Sequence, residues 1–424
     1  MTDRRRTRIE ILAVGSELLT PYHLDTNSLF LTRHLNQLGM RVSFKTVVGD
    51  KEEELASCIR TASERSDLIL IMGGLGPTQD DRTREALAAA LGKRLIFRES
   101  LWEQIQDRFR KRGISISEVN RKQAFVIEGS VPLENPNGTA PGAWLVSGGK
   151  TYVLLPGPPR EIQPMFLSRV LPRLQEKREG FQVRKALKIA GLTESKTEDL
   201  ISDLYPGIMP DIDLTVLASP GQIEIHLTAF SNLSGEDAEE KLTRPVEAIS
   251  ERLGENIFTL ADEELEDVIG KLLRENRYTL ATAESCTGGL LGHRITNVPG
   301  SSAYFLEGVQ VYSNQAKIRL LDVPASLLEE HGAVSPQVAS AMAENVRRIS
   351  GATFGLGITG IAGPEGGTEE KPVGLVYISL AGMGDTQIEK NLFLGARESV
   401  KQRSAQKALD MLRRRLLRPV QACE

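Results

Sequence analysis

The chain has 424 residues, 40% hydrophobic and 25% charged, with a formal net charge of −4 and a pI near 5.9. These values describe an ordinary folded protein of roughly two to four domains and argue against a general nucleic-acid binder. Three cysteines (Cys58, Cys286, Cys423) are too few for a disulfide framework, and the five histidines make no zinc-type spacing. No stretch reaches membrane-spanning length, so a cytoplasmic location with reduced thiols is expected. Two basic clusters occur, Arg4-Arg5-Arg6 with Arg8 and Arg413-Arg414-Arg415 with Arg418. The first reads as a solvated terminus, the second as helix-end charge that complements the dipole.

In chain order, Ile9 to Val14 is a short apolar strand, and Asp25-Thr26 can cap a helix carrying Leu31, Leu35 and Leu38, stopped by Gly39. Val42 to Val48 alternates as a strand, Lys51 to Arg65 reads as a helix, and Asp67 to Met72 is an unbroken apolar run, expected for a strand covered on both faces. Strands alternating with helices imply a parallel sheet, whose ligands sit beyond the carboxyl ends of its strands.

The segment leaving that buried strand is Gly73-Gly-Leu-Gly-Pro-Thr-Gln-Asp-Asp81, followed by a helix from Arg82 to Leu91. Glycine-rich loops entering helices cradle phosphates through backbone N–H groups, here at Gly73, Gly74, Gly76 and Thr78. Asp80 and Asp81 would repel a phosphate unless a divalent cation stood between them, so they are candidate metal ligands; their plainer role is helix capping. The loop is neither a Walker loop nor GxGxxG. Further on come Asn135-Pro-Asn-Gly-Thr-Ala-Pro-Gly142, a strand from Thr151 to Leu155, the break Pro156-Gly-Pro-Pro159 and a helix from Arg160 to Gln175.

From Val183 the pattern changes to a strand, a helix (Glu194 to Leu204) and a hairpin across Ser219-Pro-Gly221, closed by a charged helix from Glu236 to Leu253. This small α+β piece carries no catalytic constellation. His226 reads as structural, and no GXXG loop is present to clamp a nucleotide backbone.

After a helix from Leu265 to Asn276 comes Tyr278 to Ala283, a strand, then Glu284-Ser-Cys-Thr-Gly-Gly289 and a helix carrying Leu290, Leu291 and Ile295. Two nucleophiles, Ser285 and Cys286, sit at a strand-to-helix turn, where free N–H groups and the helix dipole favour an anion. Val309 to Ser313 reads as a strand, Asn314 to Leu321 as a helix, Ser335-Pro336 as a helix start, and Thr353 to Ile358 as a buried strand ending at Thr359-Gly360. The last long helix begins at Arg397. A serine nucleophile needs a base, and Lys317 with Tyr312 lies on the next strand-to-helix turn. Such a lysine must be neutral near pH 7, its pKa lowered from about 10.4 toward 7 at about 4 kcal/mol. The rival chemistry is Cys286 with a distant histidine such as His331.

The GGLGPTQDD, NPNGTAPG and LPGPPREI segments, with Gly15-Ser-Glu-Leu-Leu19 and Asp25-Thr-Asn27, resemble the molybdopterin-binding-like N-terminal domain of CinA proteins. Thr20-Pro-Tyr22 stands where most members carry a glycine. Ala281 to Gly289, Pro299 to Lys317, His331 to Ser335 and Gly357 to Gly374 resemble the CinA C-terminal, nicotinamide mononucleotide deamidase domain, and the middle piece is similar to a KH-like domain. The resemblance implies an α/β chain of three domains: residues 1–172, molybdopterin-binding-like; 173–256, α+β; and 257–424, the deamidase. It further implies hydrolysis of nicotinamide mononucleotide to nicotinate mononucleotide and ammonia, without a cofactor. Ser285 would be the nucleophile, Lys317 its base and Tyr312 their neighbour, with substrate contacts at Thr287, Gly288, Gly289, Asn314, Thr359, Gly360 and Arg397. For the N-terminal domain it implies an ADP-ribose pyrophosphatase using a divalent metal (Mg, Mn or Co). A homodimer with no membrane or nucleic-acid partner is expected. The other reading is a non-catalytic nucleotide- or pterin-binding partner protein linked to competence or DNA damage.

Overall fold

The structure, a computed structural model, describes residues 7–176, 180–208, 212–382 and 384–418; Arg4, Arg5, Arg6 and Cys423 lie outside them. Two compact units are formed, one from residues 1–183 and 230–238, the other from 184–229 and 239–424. Among the described residues no helix is long and apolar enough to cross a membrane.

In the first unit, strands Val42–Val48, Ile9–Val14, Leu68–Met72 and Lys150–Leu155 pair in that order, all parallel. Gly142–Ser147 and Val131–Leu133 then add two antiparallel strands. The sheet is therefore parallel only in part. Ser147 pairs with Lys150 across Gly148-Gly149, both at positive φ, and such a two-residue turn can only fold the chain back on itself. Cover on both faces explains the unbroken apolar run. Leu68, Leu70 and Met72 pack with Leu31, Leu35, Ile162 and Phe166, while Ile69 and Ile71 pack with Leu55, Ile59, Ala86 and Leu87. At about 1.5–3 kcal/mol per buried aliphatic side chain, these layers hold the strand ends that carry the loops. The helix expected from Arg160 to Gln175 is interrupted, running as Pro159–Met165, a π-helical turn Phe166–Val170, and Leu171–Gln175. Pro164 and Pro172 lack the N–H that a continuous ladder needs.

In the second unit, stretches 212–219, 222–229, 184–190 and 257–259 lie in one sheet in that order, and Ser219 pairs with Gln222 in the expected hairpin. The other sheet places Leu280–Glu284 between Phe305–Gln310 and Phe354–Gly360, all parallel, followed by antiparallel Leu375–Ala381 and Thr386–Leu392. Helices Leu265–Asn276 and Arg397–Leu417 bury Leu280, Leu356 and Ile358 on one face. Helix Pro336–Ser350 covers Ala281 and Ala283 on the other. A Cβ on Gly355 or Gly357 would collide with the Ala343 or Ala339 carbonyl, so bare backbone lets that helix close on the sheet.

Three arginines of the second basic cluster pair with carboxylates, and Arg418 is exposed. Arg413 is 2% exposed and bonds Asp410 and the Glu255 carbonyl, each at 2.7 Å. Arg414 reaches Asp410 at 2.8 Å, and Arg415 reaches Asp385 at 3.1 Å.

Candidate active site

The central strand Leu280–Glu284 is buried along its whole length, and the ladder continues one step further, with Ser285 N–H donating to the Ile358 carbonyl at 3.0 Å. The chain then turns through Gly288 and Gly289, both at positive φ, into helix Leu290–Thr296. A Cβ at Gly289 would collide with the Gln310 amide. The helix start is not free to receive an anion, contrary to the expectation from its position. The Glu284 carboxylate, 2% exposed, folds back and accepts from Gly289 N–H at 3.1 Å, Leu291 N–H at 3.0 Å and Gly292 N–H at 2.8 Å. From the sequence Glu284 was noted at this junction but given no role. Its signal is a carboxylate closing an apolar strand, a group that must find donors once buried. The N–H groups of Cys286 and Thr287 lie against the Cys286 sulfur, and among the described residues neither donates to a carbonyl or carboxylate.

Lys317 lies on helix Asn314–Leu321, capped by Ser313, whose hydroxyl accepts from Ala316 N–H at 3.1 Å. It is 1% exposed, and its Nζ lies 3.2 Å from Ser285 Oγ, 2.9 Å from the Val311 carbonyl and 3.4 Å from the Tyr312 carbonyl. Among the described residues no carboxylate pairs with it, and burial pushes its pKa down. A neutral amine has two N–H bonds and one lone pair. In that form the two carbonyls can accept the N–H bonds and the lone pair can face the serine hydroxyl. Burial pushes the Cys286 thiol up to about 12, so it carries almost no thiolate at neutral pH. His331 makes no hydrogen bond to it among the described residues; its ring stands 3.6 Å from Glu330.

The remaining candidates sort into three settings. The expected strand through Ser313 ends at Gln310, so Tyr312 lies in the following loop. It meets Lys317 through its carbonyl only, while its phenol, on a residue 64% exposed, accepts from Arg397 Nη2 at 2.9 Å. Arg397 also donates to the Gly363 carbonyl at 2.8 Å. Thr359 donates to the Ala333 carbonyl at 2.7 Å, and Gly360 ends the strand opposite Val376. Thr287 is wholly buried with an unpartnered hydroxyl, whereas Gly288 and Asn314 are exposed.

In the first unit, Gly73, Gly74, Gly76, Asp80 and Asp81 line a cavity of about 360 Å³ beyond the strand ends. Thr78 does not line it; it opens onto a neighbouring cavity. Asp81 accepts from the Thr78 N–H at 2.9 Å and from its hydroxyl, so this carboxylate braces its own loop. Glu17, Asp50 and Glu161 join the ring, and sequence reading missed them although each follows the end of a strand. Among the described residues no three acidic, histidine or cysteine side chains converge on one point. Five carboxylates without convergence fit a hard cation that keeps several waters and takes one or two protein oxygens plus phosphate. Behind the loop, buried Arg84 donates to the Leu75 and Pro141 carbonyls at 3.0 and 3.1 Å, and burial lowers its pKa to about 10.

Three family models match successive parts of the chain. They are described as "Probable molybdopterin binding domain" over residues 10–176, "Damage-inducible protein CinA KH domain" over 184–259 and "CinA C-terminal domain" over 262–416. A CinA-like protein from Koribacter versatilis is 45% identical over 413 residues, covering 96% of this chain and 99% of its own. The chain belongs to the CinA family. A second CinA-like protein, from Dictyoglomus thermophilum, is 43% identical over 97% of this chain and 99% of its own. Two solved structures are also similar. The CinA protein of unknown function from Thermoplasma acidophilum is 34% identical, with a TM-score of 0.36, covering 41% of this chain and 97% of that one. The competence/damage inducible protein from Agrobacterium tumefaciens is 33% identical, with a TM-score of 0.35, covering 37% and 98%. The expected fold class is the one found: a CinA chain with a molybdopterin-binding-like sheet, a KH-like piece and a C-terminal α/β sheet.

Glu284→Gln tests the brace under Ser285. The amide keeps the shape but sets an NH₂ against N–H donors, so a loss of about 2 kcal/mol is expected in denaturant unfolding of the second unit. A change below about 0.5 kcal/mol, within the range of an ordinary surface substitution, would remove Glu284 from this role.

Proposed function

We propose that the C-terminal part of the chain hydrolyses the carboxamide of nicotinamide mononucleotide. The observation that carries this reading is the buried Lys317 amine, 3.2 Å from Ser285 Oγ and without a carboxylate partner. Ser285 Oγ attacks the carboxamide carbon while its proton passes to Lys317 Nζ. The carbonyl oxygen becomes an oxyanion, held by the N–H groups of Cys286 and Thr287. As that intermediate collapses, the C–N bond breaks and Lys317 returns the proton to the leaving nitrogen, releasing ammonia and leaving an ester on Ser285. Water then attacks the ester, giving its proton to Lys317. The proton returns to Ser285 Oγ as nicotinate mononucleotide departs. Arg397, at the start of the last helix, is assigned to the substrate phosphate, for which a guanidinium is the suited donor. The rival reading, a non-catalytic partner protein, rests on family names and on no particular contact.

For the first unit we infer a metal-dependent cleavage of ADP-ribose. Asp80, with Glu17, Asp50 or Glu161, would hold the ion, and Asp81 keeps the glycine loop in shape. A bound divalent ion supplies charge neutralisation and polarises a phosphoryl oxygen. Gly73, Gly74 and Gly76 let the diphosphate approach the backbone.

Three measurements test these readings. Ammonia release from nicotinamide mononucleotide is expected to fall at least about a thousandfold in Ser285→Ala and to stay within about threefold in Cys286→Ala; the reverse pattern sinks the serine assignment. The kcat/KM for that release should rise with pH along a one-proton limb below lysine's ordinary 10.5, because the base is lost when Lys317 gains its proton. A rate that falls as pH rises through that window contradicts the lysine's role. AMP formation from ADP-ribose should stop when the metal is chelated and drop at least about tenfold in Asp80→Ala and Asp81→Ala. Unchanged AMP release in both variants removes the aspartates from the reaction.

A further inference from the structure

The middle α+β piece carries no catalytic group of its own, yet its hairpin is tied to the helix that follows Ser285. Ser219 pairs with Gln222, which leaves Pro220 and Gly221 at the tip, with Gly221 at φ +84 as a Pro-Gly turn of this kind requires. A Cβ on Gly221 would lie 3.0 Å from the Gln406 side chain and 3.5 Å from Arg403 Cα, so bare backbone lets the tip close on helix Arg397–Leu417. Gln222 and Gln406 are both buried there, and Gln406 Nε2 donates to Gln222 Oε1 at 3.1 Å.

From that contact a line of hydrogen bonds runs in both directions. On one side Gln406 Oε1 accepts from Arg294 Nη2 at 2.7 Å, and Arg294 grips the Glu266 carboxylate with Nε at 3.2 Å and Nη2 at 2.6 Å. On the other, Gln222 Nε2 donates to Glu224 at 3.0 Å, and the second Glu224 oxygen lies 2.9 Å from His226 Nε2. A guanidinium only donates and a carboxylate only accepts. The two amides between Arg294 and Glu224 therefore have one orientation that sets every donor on an acceptor. Bonds aligned head to tail out of water strengthen one another.

Arg294 sits in the last turn of helix Leu290–Thr296, a helix of seven residues whose first turn Glu284 holds beside Ser285. Two turns are too short to be stable by themselves. This helix has a mooring at each end, Glu284 at its start and Arg294 at its finish. We propose that Gln222 is a positioning residue for the Ser285 corner: through Gln406 and Arg294, the hairpin of the middle piece fixes the helix on which that corner depends. The middle piece is then a working part of the amidase. The catalytic consequence rests on reading Ser285 as the nucleophile.

Hydrogen exchange and kinetics of the full chain test it with Gln222→Ala, which leaves Gln406, Arg294, Ser285 and Lys317 in place. Exchange over residues 289–296 should quicken at least about tenfold, while helix Pro336–Ser350, on the opposite face of the sheet, stays within about twofold. The kcat for ammonia release from nicotinamide mononucleotide should fall about tenfold, a fraction of the hundredfold that a displacement of about 1 Å costs, with KM within about threefold. Gln406→Glu keeps the acceptor for Arg294 but removes the donor to Gln222. The Gln222 amide, turned over to meet it, sets its oxygen against Glu224, so kcat should again fall. Adding Glu224→Gln closes the line in reverse and should return kcat to within about threefold of wild type. Unchanged exchange over 289–296, equal quickening of both helices, an unchanged kcat in the active chain, or a double variant no faster than Gln406→Glu overturns the proposal. If the wild-type chain releases no ammonia, the amidase reading falls, and the exchange comparison alone decides the positioning.

Discussion

A lysine amine sealed from water beside a serine, with two carbonyls and no carboxylate, is the constraint on which the C-terminal site depends. An ammonium there would lose its hydration and gain no counter-charge, so burial itself drives Lys317 toward the neutral form. The carbonyls of Val311 and Tyr312 then do more than satisfy hydrogen bonds. They hold the amine beside the Ser285 hydroxyl. A carboxylate at the same distance would have favoured the ammonium instead.

That arrangement requires Ser285 to stay where it is, which is the work of its neighbour. Glu284 turns a strand end into a fixed corner by gripping three N–H groups of the following segment. The charge that a helix start normally offers to a ligand is thus consumed in shaping the turn. Cys286 sits in the same corner, but the burial that favours a neutral lysine disfavours a thiolate. One dry environment therefore disfavours the charged form of both side chains.

The first unit solves a different electrostatic problem. The glycine loop has carboxylates on one side and cations on the other, with buried Arg84 pinning its Leu75 carbonyl from behind. Thr78 and Asp81 cross-brace the loop between the two sides. A single glycine loop thus bounds two cavities of unlike charge.

Much of this was legible in the chain alone, because it is local. The Leu68–Met72 run announced a strand covered on both faces, Ser335-Pro336 and Asp25 announced helix starts, and the glycine loop and the Ser285 turn announced themselves by composition. Family resemblance then narrowed the chemistry to named residues. What the sequence alone did not decide depends on partners far apart in the chain or on exposure. Lys317 is 32 positions from Ser285, and no spacing rule predicts that its amine ends 3.2 Å from the hydroxyl and out of water. Arg413 read as helix-end charge, and packing instead enclosed it with Asp410 and a carbonyl from residue 255. Tyr312 was expected beside the serine, and its phenol instead went to Arg397, 85 positions on. Local pattern determined which elements form and which loops carry polar and nucleophilic groups; only tertiary packing decided which of those groups are desolvated, and desolvation is what pushes the lysine's pKa down and the thiol's up.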